Sequence, residues 1–333
     1  MHLNTSLPKK VLAWYDNSKR KLPWRVGKNS PKKLYYRLLS EFMLQQTQVK
    51  TVIPYFNKFT KKFRTLKSLS NSNEKEILKM WEGLGYYRRA RNLLACSKLL
   101  VKNHKSRLPS SIAEIKKLPG VGEYTANALL GLVYNEPRIA LDGNVKRVFS
   151  RNLNVEEKKI EFHTLIKKNK KNLFNTKRHA DFVEALMEFG ALVCKPKDPI
   201  CHNCCLNKIC KYSKSRNKIN SVKKKMIKNK DYDIFCYINK KKQIALTKEN
   251  QISFLKNFNL PKIKESKNFH NNKNWKFLKN YKNSISNLKL NINLYYKFSN
   301  KIPAKYNWYS LDRNKDFIPS FTKKIFRQVS TLF

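Results

Sequence analysis

Five residues near the middle of the chain, Leu118-Pro119-Gly120-Val121-Gly122, restrict the fold more than any other stretch. A short helical pattern, Ile112-Ala113-Glu114-Ile115-Lys116-Lys117, precedes them, and a second begins at Tyr124 and runs through Ala126, Ala128, Leu129 and Leu130. Two glycines one residue apart permit a tight turn between helices. They also leave backbone N–H groups uncovered at the start of the second helix, where one phosphate can be held closely. This helix–hairpin–helix pattern contacts a nucleic-acid backbone without reading its bases, which makes Gly120 and Gly122 candidate DNA contacts.

The charge agrees. The 333 residues carry 72 Lys+Arg against 22 Asp+Glu, a formal net charge of +50. A polyanionic partner follows, because each phosphate neutralised releases a counterion. No apolar run reaches the roughly 18 residues a membrane span needs. The opening Met1-His2-Leu3-Asn4-Thr5 has no signal-peptide pattern. A cytoplasmic, reducing setting is therefore expected, in which seven cysteines suggest metal or redox roles rather than disulfides.

Chemistry-bearing residues lie on either side of the hairpin. Helical periodicity over residues 31–48 places one acid, Glu41, among Leu38, Leu39, Phe42 and Met43. A carboxyl in such a setting holds its proton toward neutrality and can deliver it. The amides Gln45, Gln46 and Gln48 follow, with the donors and acceptors that base edges require. Upstream, Trp24 is a core anchor or a stacking surface, and Arg25 a base or phosphate contact. In Gly83-Leu84-Gly85-Tyr86-Tyr87-Arg88-Arg89-Ala90-Arg91, aromatic rings beside arginines suit wedging into a base stack and contact with phosphates. Asp142, in Leu141-Asp142-Gly143-Asn144, precedes a helix that it can cap. It can also stabilise a developing cation.

A helix over residues 180–194 leads into Cys194, Cys201, Cys204 and Cys210, with gaps of six, two and five residues. Four thiolates in one loop suit zinc or an iron–sulfur cluster, and the spacing alone does not choose. Cys205 is surplus, while Cys96 and Cys236 are isolated. Residues 211–230 are rich in Lys and Arg without an acid, a pattern for a solvated linker. Beyond it, residues 234–238 and 243–247 suggest a hairpin, and Leu288, Leu290, Ile292 and Leu294 alternate with polar residues as in a half-buried strand. Residues 317–333 read as partly helical. The expected fold is thus a mostly α N-terminal domain followed by a smaller α+β domain.

Taken in order, Leu22-Pro23-Trp24-Arg25, residues 40–49, residues 81–91, Leu118 to Ala126, Leu141 to Val148 and the four-cysteine loop resemble the adenine DNA glycosylases of the MutY family, within the helix–hairpin–helix superfamily that includes endonuclease III. The resemblance covers about residues 10–210. It implies a glycosylase domain over 1–212 with a [4Fe–4S] cluster on Cys194, Cys201, Cys204 and Cys210, a basic linker over 213–230, and a degenerate Nudix-like domain over 231–333. The implied substrate is double-stranded DNA in which adenine faces 8-oxoguanine or guanine, with the adenine flipped out before hydrolysis of its glycosidic bond. Glu41 would be the general acid and Asp142 would stabilise the sugar cation, supported by Tyr124 and Asn144. Trp24, Arg25, Leu44 and Glu184 would line the adenine pocket, and Gln46 and Tyr86 would wedge into the duplex. Bifunctional relatives carry Lys where Tyr124 stands, so a monofunctional enzyme is expected.

The C-terminal domain departs from the family. A Phe-Ser-His reader loop aligns with Ile285-Ser286-Asn287, keeping only the serine. Ser286 and Asn287 are nonetheless the candidate 8-oxoguanine contacts, with a weakened preference expected. No cluster of phosphohydrolase glutamates is visible, so this domain should bind rather than hydrolyse. A bacterial, nucleoid-associated monomer is expected. Two alternatives compete: an endonuclease III-like enzyme acting on oxidised pyrimidines, against which Tyr124 and the appended domain argue, and a non-catalytic mispair binder, against which the retained Glu41 and Asp142 argue.

Overall fold

The computed structural model describes residues 1–215, 219, 228–250, 252, 255–266, 274–285, 288–310 and 317–333. Two compact units emerge: Met1–Glu74 with Tyr87–Lys223, and Lys75–Tyr86 with Lys224–Phe333. The grouping of Lys75–Tyr86 with the C-terminal residues has no sequence signal.

The first unit is helical, as periodicity predicts. Its longer helices are Leu7–Ser18, Lys33–Leu44, Val49–Lys62, Arg88–His104, Glu123–Tyr134, Gly143–Leu153 and His179–Leu192. Helix His179–Leu192 packs against Leu7–Ser18, Glu123–Tyr134 and Gly143–Leu153. Its Phe182, Leu186 and Phe189 join Val11, Tyr15 and Phe149 in one core. Helix Lys33–Leu44 lies against Glu123–Tyr134. The hairpin between Ile112–Ile115 and Glu123–Tyr134 turns at Gly120, whose φ of +77° favours glycine. A Cβ there would lie 2.7 Å from Phe42 Cε1 and from Asn92 Cβ. The turn therefore seats directly on helices Lys33–Leu44 and Arg88–His104.

Among the described residues, the second unit holds a six-stranded sheet of β1 (Lys228–Ile238), β2 (Ile244–Leu246), β3 (Lys262–Glu265), β4 (Lys276–Ile285), β5 (Leu288–Phe298) and β6 (Asn307–Tyr309). The order is β4-β5-β1-β2-β6, with β3 also on β1. The expected hairpin is β1–β2, antiparallel, with Ile238 opposite Ile244. β1 and β5 pair in parallel, Ile234 opposite Leu294, which local alternation cannot announce. Ile234, Cys236 and Ile238 on β1 and Leu290, Ile292 and Leu294 on β5 are buried. Helix Ser320–Val329 buries Phe321, Ile325, Phe326 and Val329. Residues 228–230 belong to β1 rather than to a linker, and residues 211–214 form a short helix. The intervening basic residues 216–218 and 220–227, and the reader candidates Ser286 and Asn287, lie outside the described residues.

Candidate active site

A cavity of about 800 Å³ opens in the helical unit, and Trp24, Arg25, Glu41, Leu44, Gln46, Tyr124, Asp142, Asn144 and Glu184 all line it. Residues more than a hundred positions apart thus meet in one place. Glu41, on helix Lys33–Leu44, is only 6% exposed. Burial raises its pKa to about 7, and the charges of Asp142 and Glu184 add to the rise. Arg37 and a hydrogen bond from the Tyr124 hydroxyl act in the opposite direction. That hydroxyl donates to Met187 Sδ at 3.9 Å, which holds the ring beside Glu41 in the cavity wall.

Asp142 caps helix Gly143–Leu153, as its position predicts. Its Oδ1 accepts from the Val145 amide at 2.7 Å, and its Oδ2 accepts from Asn144 Nδ2 at 2.7 Å. Burial raises its pKa, while these two donors and Arg147 hold the rise back. Arg147 donates in turn to Asn144 Oδ1 at 2.8 Å, to the Gly190 carbonyl at 2.7 Å and to the Cys194 carbonyl at 2.8 Å. A Cβ on Gly190 would lie 2.6 Å from Asn144 Cβ. Helix His179–Leu192 can approach Asn144 this closely only because residue 190 lacks a side chain.

One wall is a buried ion network. Glu184 accepts from Arg37, from Arg25 Nε at 3.3 Å and from the Tyr15 hydroxyl at 2.7 Å. Burial would raise its pKa, but Arg37 and Arg25 overcome that and keep it low. Glu188 accepts from Arg20 Nε at 2.7 Å and Arg25 Nη2 at 3.1 Å. Arg25 is thereby fixed between two carboxylates. Arg20, Arg37 and Glu188 carry no motif that marks them in the sequence; only the i, i+4 spacing of Glu188 from Glu184 hints at a shared wall. Trp24 is buried and meets Phe56 edge-on at 5.3 Å, so its core role is satisfied while it also lines the cavity.

The remaining candidates separate. Gln46 sits at the cavity with a left-handed backbone, φ +58°. Gly122 precedes helix Glu123–Tyr134, and nothing lies within 4 Å of a Cβ placed on it. Tyr86 is 38% exposed and belongs to the other unit. Tyr87 and Arg89 are both 6% exposed, so this pair does not offer an open ring and cation as the sequence suggests. Cys194, Cys201, Cys204 and Cys210 line one small cavity, and Cys205 is absent from its lining. Among the described residues, no three His, Cys, Asp or Glu side chains meet closely enough to hold a metal ion. No helix among them is long and apolar enough to cross a membrane.

Residues 39–171 match the HhH-GPD superfamily of base excision DNA repair proteins. An adenine DNA glycosylase of Buchnera aphidicola subsp. Baizongia pistaciae is 38% identical over 325 residues, covering 91% of this chain and 90% of that protein. The chain belongs to the adenine DNA glycosylase family. The Homo sapiens adenine DNA glycosylase is 35% identical over 210 residues, 60% of this chain and 38% of that protein. Among solved structures, a thermostable thymine-DNA glycosylase superposes with a TM-score of 0.55 at 26% identity, covering 62% of this chain and 95% of that one. A non-covalent endonuclease III–DNA complex gives 0.51 at 23% identity over 64% of this chain and 98% of that one, a likeness of fold. As a family member, the chain is a DNA glycosylase, a hydrolase of base excision repair.

Proposed function

We propose that the enzyme hydrolyses the N-glycosidic bond of adenine opposite 8-oxoguanine or guanine in duplex DNA, by flipping the adenine into the 800 Å³ cavity. The observation that carries the proposal is the meeting of Glu41 and Asp142 in that cavity, each in a different electrostatic setting. Glu41, with a pKa of about 7, holds a proton that it delivers to the adenine ring, turning the base into a neutral leaving group. Asp142, held by the Val145 amide and Asn144, faces the cation that develops on the sugar. The division of labour parallels that of two glycosidase carboxyls. Tyr124 supports Glu41 through its hydroxyl and has no amine for a Schiff base, so glycosylase action without strand cleavage is expected.

Trp24, Arg25, Leu44 and Glu184 serve as pocket walls, Gln46 and Tyr86 as duplex wedges, and Gly120 and Gly122 as a phosphate contact. The second unit, with Ser286 and Asn287, serves as a Nudix-like reader of the opposite base. Domains over 1–212 and 231–333 and a monomer at the nucleoid complete the proposal.

We infer a [4Fe–4S] cluster on the four-cysteine loop, whose thiols line one cavity although no three of them meet closely enough for a single metal ion. Its cavity has four thiols and no carboxylate in the lining, and Arg151 Nη1 lies 3.5 Å from Cys194 Sγ, where it would offset thiolate charge. Such a cluster would supply loop structure, and the hydrolysis needs no electron from it. The deciding experiment measures adenine release, read by alkali cleavage, from duplexes with adenine opposite 8-oxoguanine, guanine or thymine. Glu41→Gln should abolish release while leaving binding to the mispaired duplex nearly intact. Unchanged release by that variant would overturn the assignment.

A further inference from the structure

Arg89 begins, in the sequence, as one cation of a basic cluster suited to phosphates. Its structural position is different. It lies in the first turn of helix Arg88–His104 and is 6% exposed. Its Nη1 donates to the carbonyls of Phe42 at 3.2 Å, Met43 at 2.7 Å and Gln45 at 2.5 Å. These are terminal carbonyls of helix Lys33–Leu44 and its cap, groups that have no partner within a helix. A helix C-terminus also carries partial negative charge, which a buried guanidinium offsets.

The capped turn matters because of what it separates. Glu41 immediately precedes Phe42. Gln46 immediately follows Gln45 and holds φ +58°, a backbone state that a residue with a side chain adopts at a cost. Gln45, Gln46, Thr47 and Gln48 all line the large cavity. The hairpin glycine Gly120 packs on the same two helices, with its hypothetical Cβ 2.7 Å from Phe42 and from Asn92. One buried side chain thus ties the end of the Glu41 helix to the helix on which the phosphate-contacting turn rests.

We propose that Arg89 is a positioning residue of the glycosylase reaction. By capping the Lys33–Leu44 helix it fixes where that helix ends, and so sets Glu41 and the left-handed Gln46 in register with the flipped adenine. It touches no DNA. This rests on the functional reading of Glu41 and Gln46 given above.

The test compares wild type, Arg89→Ala and Arg89→Lys, with Glu41→Gln as reference. Three quantities are read on the full chain: single-turnover adenine release, affinity for an undamaged duplex as a function of salt, and fluorescence of 2-aminopurine at the target position in the Glu41→Gln background. A misplacement of about 1 Å in a reacting group costs about 100-fold in rate, so Arg89→Ala should slow release by that order. It should also lower the fluorescence that reports flipping. The salt slope for undamaged duplex should not change, because no phosphate contact is removed. Arg89→Lys, which keeps the charge and N–H donors, should recover part of the rate. If Arg89→Ala fails to fold, Arg89→Lys decides, with slower release and an unchanged salt slope expected. Unchanged release, or a salt slope that falls by about one phosphate with release falling only in proportion to binding, would overturn the proposal. If Glu41→Gln still releases adenine, the underlying functional reading fails instead.

Discussion

Replacing Glu41 with glutamine should make the enzyme inactive and more stable at once. The folded protein raises the Glu41 pKa from 4.5 to about 7. Below about pH 4.5 both the folded and the unfolded chain keep the proton, and burial of the carboxyl exacts no ionisation penalty. Between pH 4.5 and about 7 the unfolded chain releases the proton while the folded chain retains it, so stability falls as pH rises. Above about pH 7 the whole rise acts, and at about 1.36 kcal/mol for each tenfold change in proton affinity it comes to about 3 kcal/mol. The Glu41→Gln variant has no proton to lose, and its amide keeps the size of the side chain and an oxygen for the Tyr124 hydroxyl. The variant should therefore gain about 3 kcal/mol over wild type at about pH 8, and less than about 1 kcal/mol at about pH 5. In a helical unit of this size that gain corresponds to roughly 6–12 °C in Tm. Urea unfolding followed by circular dichroism at both pH values measures it, with each variant compared with wild type at the same pH so that the background charge cancels. An equal gain at both pH values would assign the effect to packing. A loss of stability at the higher pH would show that Glu41 is comfortable as an anion, and the proton-donor role would lose its physical basis.

The same titration governs rate: protonated Glu41 falls from about 0.9 of molecules at about pH 6 to about 0.09 at about pH 8, so single-turnover release should drop about tenfold with a midpoint near pH 7. A flat or rising profile would contradict the general-acid role. Gly190→Ala places a methyl group 2.6 Å from Asn144 Cβ and 2.9 Å from the Asn144 carbonyl oxygen, and should cost about 1–3 kcal/mol and slow excision. Unfolding and activity measured together check this, and wild-type values in both would mean that the helices separate without consequence. Cys205→Ser should retain iron and sulfide after purification while Cys204→Ser loses them, as read by visible absorbance and metal content; equal retention would reject the four-cysteine assignment.

Local features were readable wherever chemistry and backbone shape share a short stretch. Gly120 with Gly122, Asp142 before its helix, and Glu41 on an apolar face each depend on neighbours within one helical turn, and periodicity exposes them. The surroundings of a charge are another matter. Arg25 and Arg89 each lie within two residues of an aromatic side chain, yet one is fixed between Glu184 and Glu188 and the other caps a helix across the unit. Nothing within a few residues distinguishes a guanidinium bound for the interior from one bound for solvent. The parallel pairing of β1 with β5 was hidden for a related reason, since partners some sixty residues apart, such as Ile234 and Leu294, leave no trace in local alternation.

The bond between Tyr15 and Glu184 spans 169 residues of sequence. On a ribosome adding about 5–20 residues per second, the Leu7–Ser18 helix is made roughly 10–30 seconds before the helix it packs against. During that interval Val11, Leu12 and Tyr15 have no native partner from residues 179–192, and the wall holding Glu184 cannot close. Birth of the active cavity is therefore a late event in synthesis. A nascent chain halted before the His179–Leu192 helix would carry Glu41, Tyr124 and Asp142 and still lack the acid that joins Arg25 to Arg37.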